Sequence, residues 1–353
     1  MTGHITADPI LRLIQEMSAE VEAGQPIYRP SRFWEMLGSL NVAQLADPGF
    51  DSFKRTINQN YFNWLIAEPR DPQFGAVIRD WLRHPTPSVA WARLLDARDV
   101  EVGERRLKPF AWRRMRMGYA VFVAMLWEYV RRRDRLRLLD QLTEPSLGSP
   151  ILVQHRGRSA SQDVANSLLE FYAIAEAFPG GIPEQATVVE LGGGYGRLGW
   201  LLLTALPSIR YIAVDVPPAL AVAQTYLTRL FPELAAARFR RGGADLAAAV
   251  GDARLAFLTP NQLDALPSLK ADLFINVSSL HEMRPDQIAR YFSLIGRHTR
   301  GVFYTKQWRE WTNPEDGVTI RESDYPVPVQ WKRIYQRPHG VQTHFFEAAY
   351  LIS

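Results

Sequence analysis

From Thr187 onward, short apolar runs alternate with segments that carry apolar residues at helical spacing. The runs TVVEL, YIAVD, ARLAFL, DLFINV and GVFYTK are typical of parallel strands that are buried on both faces. Between them, GRLGWLLLTAL and PALAVAQTYLTRLF predict helices. The last segment, WKRIYQRPHGVQTHFFEAAYLIS, predicts two strands around a Pro-His-Gly turn. These elements predict a Rossmann-like, doubly wound α/β sheet of five parallel strands with a terminal antiparallel hairpin.

The first half of the chain has a helical pattern instead. DPILRLIQEMSAEVEAG begins with an Asp-Pro pair and ends at a glycine, as helices do. PFAWRRMRMGYAVFVAMLWEYVRRRDRLRLLDQL predicts a long helix with arginines on its polar face. Prolines and glycines then interrupt the pattern, and SASQDVANSLLEFYAIAEAF predicts a new helix. We therefore predict a mostly helical domain over residues 1–160, covering the acceptor side of an α/β domain over residues 161–353.

Composition narrows the class of protein further. The 353 residues include no cysteine, which excludes disulfides, thiolate metal sites and cysteine nucleophiles. The N-terminus lacks the basic and apolar pattern of a secretory signal, and the longest apolar run, YAVFVAMLW, is too short to cross a membrane. We expect a cytoplasmic protein that does not bind membranes.

Positive charge is concentrated in one part of the chain. Ten arginines and one lysine lie between Arg105 and Arg137, although the net charge is only +4. On a helix such a run is most often a solvated face. It also suits a surface for an anionic partner: a nucleotide sugar, an acidic glycan or nucleic acid.

The glycine-rich segment ATVVELGGGYGRLGWLLL allows two interpretations. Gly194, Gly196 and Gly199 have the G-x-G-x-x-G spacing of a dinucleotide loop. In that interpretation Asp215, which ends the next strand, holds the ribose. A dehydrogenase, however, has a second mononucleotide-binding half after the first, whereas here a hairpin closes the sheet.

The second interpretation starts from Glu190, which precedes Gly192, Gly194 and Gly196 in an E-x-G-x-G-x-G pattern. A carboxylate at this place suits a ligand with a cationic amino-acid end and a sulfonium. It repels a pyrophosphate, which dinucleotide loops place at a helix N-terminus with no acid beside it. The pattern therefore favours S-adenosylmethionine as cofactor, with Asp215 accepting hydrogen bonds from the ribose hydroxyls.

Several longer segments carry a resemblance to a known family, the sugar O-methyltransferases of the nanchangmycin-pathway type. The segments are FKRTINQNYFNW, GRSASQDVANSLLEF, VVELGGGYGRLGW, VDVPPALAVAQTYL, NVSSLHEM, FYTKQW, SDYPVP and FFEAAY. The resemblance implies a Rossmann-like class I methyltransferase fold, S-adenosylmethionine as donor and a sugar hydroxyl as acceptor. It implies that Glu190, Gly192, Gly193 and Gly194 bind the methionine end of the cofactor and Asp215 its ribose.

The resemblance also indicates positions around the adenine. Methyltransferases of this class usually have an acid after the third strand, where it meets the adenine amine. This chain has amides there, Asn261 and Gln262, so it departs from the family pattern at this contact. Asn276, at the end of the fourth strand, is expected to line the same pocket.

The segment NVSSLHEMRPD supplies candidate catalytic groups after the fourth strand, at the sheet edge where ligands gather. A sugar hydroxyl needs a base, and the ordinary pKa of histidine suits that task. We predict His281 as the base, with Glu282 orienting or replacing it; the alternative is that one of them caps the next helix or pairs with Arg284. Glu282 and Asp286 lack a second acidic cluster, so no metal is expected.

Other residues in the matching segments have two interpretations each. Arg158, Ser161 and Asp163 either close over the cofactor or form a helix cap with a surface arginine. Lys306 and Trp308 follow the fifth strand and are predicted to line the acceptor site, where an aromatic face stacks on a sugar; burial in the core is the alternative.

The sequence therefore predicts an S-adenosylmethionine-dependent O-methyltransferase acting on a sugar or glycosylated small molecule. Its partner is a small-molecule or glycan acceptor, with anionic character suggested by the arginine run. Two alternatives remain: a nucleic-acid methyltransferase, against which no nucleic-acid-binding motif is found, and a cofactor-binding protein that has lost catalysis.

Overall fold

The structure is a computed structural model that describes residues 9–61, 66–96, 101–102, 105–106, 109–242 and 245–353. Its N-terminal half contains the helices α1 (Pro9–Ala23), α2 (Arg32–Gln44), α3 (Ile57–Tyr61), α4 (Pro72–Arg83), α5 (Pro109–Arg131) and α6 (Leu138–Gln141). The short strands are β1 (Arg93–Leu94), β2 (Glu101–Val102), β3 (Arg105–Arg106), β4 (Val153–His155) and β5 (Arg158–Ala160). Strands β1, β4 and β5 form an antiparallel sheet, and β2 pairs with β3.

The second half alternates strands and helices as predicted. Its helices are α7 (Gln162–Glu176), α8 (Arg197–Ala205), α9 (Ala219–Leu230), α10 (Leu246–Asp252), α11 (Pro260–Ala265) and α12 (Pro285–His298). Its strands are β6 (Thr187–Leu191), β7 (Arg210–Val214), β8 (Ala236–Ala237), β9 (Leu255–Leu258), β10 (Ala271–Val277), β11 (Thr299–Trp308), β12 (Glu310–Thr312), β13 (Thr319–Arg321), β14 (Lys332–Pro338) and β15 (Phe345–Ile352). The five predicted parallel strands correspond to β6, β7, β9, β10 and β11.

Eight strands form the central sheet in the order β14-β15-β11-β10-β6-β7-β9-β8. Strands β6 to β11 pair in parallel, while β15 is antiparallel to both β11 and β14. The last strand is thus inserted between the fifth major parallel strand and β14. This order defines a Rossmann-like class I methyltransferase fold and confirms the predicted fold class.

Alternate residues of the strands face opposite sides of this sheet, and both sides are buried. Val188 and Tyr211 belong to one apolar core, which also contains residues of α1, α5, α7, α8 and α9. Val189 and Ile212 belong to the other, which contains residues of α12. This period of two explains why the strands are continuous apolar runs in the sequence.

The N-terminal helices share the first of these cores, which runs from Ile10 to Ala349. The boundary expected at residue 160 falls at the end of β5, and the core continues across it. The long helix expected over 109–142 ends at Arg131 instead. Arg137 adopts a left-handed conformation before the separate helix α6, and Asp134 accepts hydrogen bonds from the N–H groups of Leu138 and Leu139 in its first turn, both at 2.8 Å.

No helix in the described ranges is long and apolar enough to cross a membrane.

Candidate active site

A cleft opens at the carboxyl ends of β6, β7 and β10. The chain winds outward from β6 through β7 and β9 and then returns to β10 on the other side, so the ends of β6 and β10 flank a crevice, the usual ligand position in such sheets. The cleft encloses about 990 Å³ of space between atoms, part of which is open to solvent. Its lining includes Glu190, Gly192, Gly193, Gly194, Asp215 and Glu282, together with Tyr28, Ser31 and Trp34 from the N-terminal part.

The glycine loop between β6 and α8 brings the backbone to the floor of this cleft. Gly192 has a φ of +72°, and a Cβ built there lies 2.2 Å from the Ser279 Oγ. A Cβ at Gly193 lies 3.0 Å from the Glu190 Cδ. A side chain at Gly192 would clash with Ser279, and one at Gly193 would crowd Glu190, so glycine at both positions keeps the loop backbone as an open cradle at the floor of the cleft.

Glu190 ends β6 with its side chain 2% exposed. Its Oε2 accepts a hydrogen bond from the Tyr211 hydroxyl, and burial raises the pKa of its carboxyl group to about 7. No ion pair to Glu190 is found in the described part of the chain, so the carboxyl group is available to a cation in the cleft.

Asp215 follows β7 directly and faces the same space. Its Oδ2 accepts from the Gly194 N–H at 2.9 Å and its Oδ1 from the Val216 N–H at 2.7 Å. Burial and, to a smaller extent, the nearby Glu190 charge raise the pKa of Asp215 to about 7. The two backbone bonds fix the carboxyl group beside the glycine loop.

Glu282 brings a third carboxyl group to the cleft from the turn after β10. It is 8% exposed, and burial, followed by the charge of Asp215, raises the pKa of its carboxyl group well above the ordinary value. Its Oε2 has no hydrogen-bond partner within the described residues. Glu282 is therefore a buried acid that lines the cleft, and one of its oxygens has no hydrogen-bond partner in the described part of the chain.

His281 lies beside Glu282 but outside the cleft lining. Its Nδ1 is 2.9 Å from the Gln307 Oε1, and its Nε2 is 3.6 Å from the Glu282 Oε1. Its ring packs against Trp311 and Phe345. Burial lowers the pKa of His281 to about 4, so the imidazole is neutral at pH 7 and a weak base. The geometry favours Glu282 over His281 for contact with a substrate.

An N-terminal segment over residues 26–34, here called the cover segment, closes one side of the cleft. The Gln287 Nε2 donates to the carbonyl oxygens of Ile27 and Arg29, both at 2.8 Å, and the Arg290 Nε donates to the Tyr28 hydroxyl at 2.8 Å. Sequence reasoning missed this segment. Its signal was a proline-bounded stretch with three aromatic residues, YRPSRFW, between two helices.

The three amides expected near the cofactor have structural partners. Asn276 is fully buried, and its Nδ2 donates to the Leu191 carbonyl oxygen at 2.8 Å and to the Ser279 Oγ at 2.6 Å, behind the glycine loop. The Asn261 Nδ2 donates to the Glu20 Oε1 at 3.1 Å and so fastens α1. These two residues support the cleft but do not line it.

Gln262 also lies outside the cleft lining. Its Oε1 accepts from the Thr259 N–H at 3.2 Å, and its Nε2 donates to the Arg240 carbonyl oxygen at 2.8 Å. Within α11, the residue that lines the cleft is Pro260, the first residue of the helix, which follows the N-cap residue Thr259. The adenine contact predicted for Asn261 and Gln262 therefore does not fit this geometry.

The residues before the α/β domain form a cap and a buried network. Ser161 caps α7 by accepting from the Val164 N–H at 3.0 Å. The Arg158 guanidinium donates to the carbonyl oxygens of Asp140 and Leu142, away from the cleft. Asp163 is buried and accepts from the Asn58 Nδ2 at 3.1 Å, and burial raises its pKa to about 6.

Lys306 and Trp308 do not line the cleft. Lys306 is fully buried in β11, and its Nζ donates to the Glu170 Oε1 at 2.9 Å and to Gln342. The Trp308 ring stacks on His344 with ring centroids 5.4 Å apart. The acceptor role predicted for both residues does not fit these positions, because β10 lies between their strand, β11, and the end of β6 that flanks the cleft.

The arginine run is described only in part: residues 107–108, and the side chains up to 114, lie outside the described residues. At its C-terminal end, Arg132 and Arg133 pair with Asp80, while Arg131 and Arg137 pair with Asp140.

Within the described ranges, no group of three or more acidic or histidine residues is arranged to hold a metal ion.

Comparisons with known proteins concern the fold. No family model matches the sequence, and a search of curated proteins finds no match. The PH0226 protein from Pyrococcus horikoshii OT3 is 11% identical over 55% of this chain and 92% of that chain, with a TM-score of 0.39. The mitomycin 7-O-methyltransferase MmcR is 17% identical over 66% of this chain and 63% of that chain, with a TM-score of 0.38.

The glycopeptide N-methyltransferase MtfA is 15% identical over 53% of this chain and 90% of that chain, with a TM-score of 0.35. These likenesses are too distant to carry an argument about the reaction or the acceptor. The fold class rests on the strand order and directions of the central sheet.

Proposed function

We propose that the protein is an S-adenosylmethionine-dependent methyltransferase. The observation that carries the proposal is the set of three carboxyl groups, from Glu190, Asp215 and Glu282, in one cleft at the switch point of the sheet. The charge of Glu190 raises the pKa of Asp215, and the charge of Asp215 raises the pKa of Glu282, so a cationic ligand relieves repulsion among these groups. S-adenosylmethionine has two cationic groups, an ammonium and a sulfonium.

The same residues fit a dinucleotide poorly. A pyrophosphate would add negative charge beside Glu190, whereas a dinucleotide loop offers its helix N-terminus with no acid nearby. The arginine that starts α8, Arg197, also lines the cleft but is paired with Glu170 at 2.8 Å. In the proposed site, Glu190 and the glycine loop hold the methionine end, and Asp215 holds the ribose.

The reaction we propose is methyl transfer to an oxygen, with Glu282 as the general base. When bound, the cofactor supplies an electrophilic methyl group on its sulfonium. The protein's contribution is to hold the acceptor oxygen in line with that group, which is an entropic gain. The ionised Glu282 takes the hydroxyl proton as the oxygen–carbon bond forms and the carbon–sulfur bond breaks. The Glu282 proton then leaves to water.

A sugar hydroxyl, free or in a glycoside, is the acceptor we propose. This part rests on the resemblance to sugar O-methyltransferases and on Trp34, which lines the cleft together with Glu282. An aromatic face beside a base suits a sugar ring, because the apolar face of the sugar stacks while its hydroxyls point outward.

The test is an acceptor screen with isotope-labelled S-adenosylmethionine over free sugars, nucleotide sugars and glycosides. Products are identified by mass spectrometry. We expect one class of hydroxylated acceptor to gain a single methyl group, and Glu282→Gln to lose at least about a hundredfold in kcat, the usual contribution of a positioned base. The exposed Glu315→Gln serves as matched control and is expected to behave as wild type. Methylation at nitrogen, or full activity of Glu282→Gln, would contradict the proposal.

A further inference from the structure

Glu282 has contacts with the cover segment in addition to those within its own turn after β10. Trp34 lines the cleft together with Glu282. Its side chain lowers the pKa of the Glu282 carboxyl group, as a hydrogen-bond donor does, and its only donor is the indole N–H. The Ser31 Oγ donates to the Glu282 carbonyl oxygen at 3.2 Å. Both the side chain and the main chain of the proposed base are therefore fixed by a segment about 250 residues away in the sequence.

Ser31 is placed for this contact and not for its usual one. It occupies the N-cap position of α2, where a serine side chain ordinarily accepts from a backbone N–H of the first turn. Here the side chain makes no such bond. The hydroxyl is 4% exposed and directed to the turn that carries Glu282. The Ser31 side chain thus binds the turn that carries Glu282 instead of capping its own helix.

The cover segment has its own anchors on α12, next to that turn. Gln287 donates to two of its carbonyl oxygens and Arg290 to the Tyr28 hydroxyl. Tyr28 is 1% exposed and packs against Tyr291. These contacts hold the segment at a fixed distance from Glu282, so its docking and the geometry of the carboxyl group are linked.

The other titratable groups near the carboxyl group do not orient it. Asp215 and Tyr325 interact with it only through their charge. The neutral His281 lies 3.6 Å away, beyond hydrogen-bond distance. Among the described residues, Trp34 is the side chain whose hydrogen bond favours the ionised form of Glu282.

We propose that Trp34 is a positioning residue for the base: its indole N–H binds the Glu282 carboxyl group and leaves Oε2 for the acceptor hydroxyl. The Glu282 carboxyl group is then held in its position by Trp34 only when the cover segment is docked on α12. This inference rests on the proposed function, because it gives Glu282 a substrate proton to accept.

The first test measures the titration of Glu282 itself. In protein labelled with ¹³C-glutamate, the Glu282 carboxyl signal is assigned by its loss in Glu282→Gln. Trp34→Phe keeps an aromatic ring and removes the N–H donor, so we expect the titration midpoint of Glu282 to rise by about one pH unit. Trp91→Phe is the matched control, because Trp91 is 81% exposed and far from this contact. A midpoint that is unchanged in Trp34→Phe overturns the inference.

The second test does not depend on the folding of Trp34→Phe. In ¹⁵N-tryptophan-labelled wild-type protein, one indole N–H signal is expected to shift with the midpoint of Glu282, and that shift is expected to vanish in Glu282→Gln. If no indole signal follows Glu282, the inference is wrong. Titration with S-adenosylhomocysteine in the same samples separates the two proposals: absent binding overturns the proposed function, whereas the Trp34–Glu282 coupling is measured without any methyl transfer.

Discussion

At the scale of single residues, the cleft is distinguished by buried acids. Burial raises the pKa of Glu190 and of Asp215 to about 7, so both are partly protonated in the free protein at neutral pH. A bound cation favours their ionised forms. Ligand binding and proton release are therefore linked at this site.

The first prediction concerns the pH dependence of S-adenosylmethionine binding. Below pH 7 Glu190 must lose a proton before it can pair with the cation, and Asp215 before both of its oxygens can accept from the ribose hydroxyls, so affinity falls as pH falls through the raised pKa values. We expect a loss of about tenfold per pH unit for each group that ionises. Calorimetry in two buffers of different ionisation enthalpy measures the released protons. A dissociation constant that does not vary between pH 6 and 8 would show that these acids do not contact the cation.

The second prediction separates backbone strain from ligand contact in the glycine loop. Gly192 and Gly157 have similar φ values, +72° and +75°, but only Gly192 has a neighbour within 4 Å of a built Cβ. We expect Gly192→Ala and Gly157→Ala each to lose about 1 kcal/mol or more of stability. Only Gly192→Ala should also lose S-adenosylhomocysteine binding, measured by calorimetry. Equal binding by both variants would contradict the cradle described for this loop.

The sequence predicted the residues of the site whose geometry is local. Glu190, the glycines and Asp215 end adjacent strands, and strand ends of a parallel sheet meet at one edge. The choice between His281 and Glu282 was not predictable. The residues that bury His281 are Gln307, Trp311 and Phe345, which the fold brings to it from other strands. Asn261 and Gln262 were predicted to contact the adenine, but they lie outside the cleft lining. Their hydrogen-bond partners, in α1 and in the segment before α10, are distant in sequence.

At the scale of elements, side chains of helix α12 hold the cover segment beside the cleft. The contacts are hydrogen bonds from side chains of α12 to main-chain oxygens of the segment, so they hold its backbone and not merely its surface. A segment held by a few such bonds opens locally at lower free energy than the core does.

The third prediction concerns this docking. Gln287→Ala removes two hydrogen bonds to carbonyl oxygens of the cover segment, a loss of about 2 kcal/mol at about 1 kcal/mol each. We expect amide hydrogen exchange over residues 26–34 to become roughly thirtyfold faster. The control is Gln141→Ala on α6, whose side chain is exposed. If exchange in the segment is unchanged, Gln287 does not hold it.

The main strands were predictable because each is a short apolar run buried on both faces. Three features were not: β8 has only two residues, β12 and β13 carry no alternating pattern, and the predicted long helix over 109–142 ends at Arg131. After that ending, the Asp134 carboxylate accepts hydrogen bonds from N–H groups in the first turn of the next helix. A side chain acting on the backbone in this way is not visible in hydrophobic periodicity.

At the scale of the whole molecule, one core and one buried polar network cross the boundary at residue 160. Lys54 is 1% exposed. It pairs with Glu144 and donates to the Tyr226 hydroxyl at 3.1 Å. Tyr226 lies in α9 of the α/β domain, so Lys54 connects the N-terminal part to the sheet. We expect both parts to unfold together.

The fourth prediction tests this connection. Lys54→Met leaves Glu144 buried without its cation, which should reduce the free energy of unfolding by about 3–5 kcal/mol. The double variant Lys54→Met/Glu144→Gln should recover part of that loss, because the buried charge is removed as well. Urea unfolding followed by circular dichroism and tryptophan fluorescence measures both values. Two separate transitions in the wild-type protein would contradict the single cooperative unit.

The central claim is that the cleft binds S-adenosylmethionine. The most direct measurement is calorimetric titration of the purified protein with S-adenosylhomocysteine, run beside NADH. We expect S-adenosylhomocysteine to bind and NADH not to bind. Asp215→Asn should weaken binding about ten- to a hundredfold, the effect of losing hydrogen bonds to a charged group, while the exposed Asp286→Asn should not. Binding of NADH without S-adenosylhomocysteine would contradict the account of the cleft and of the reaction built on it.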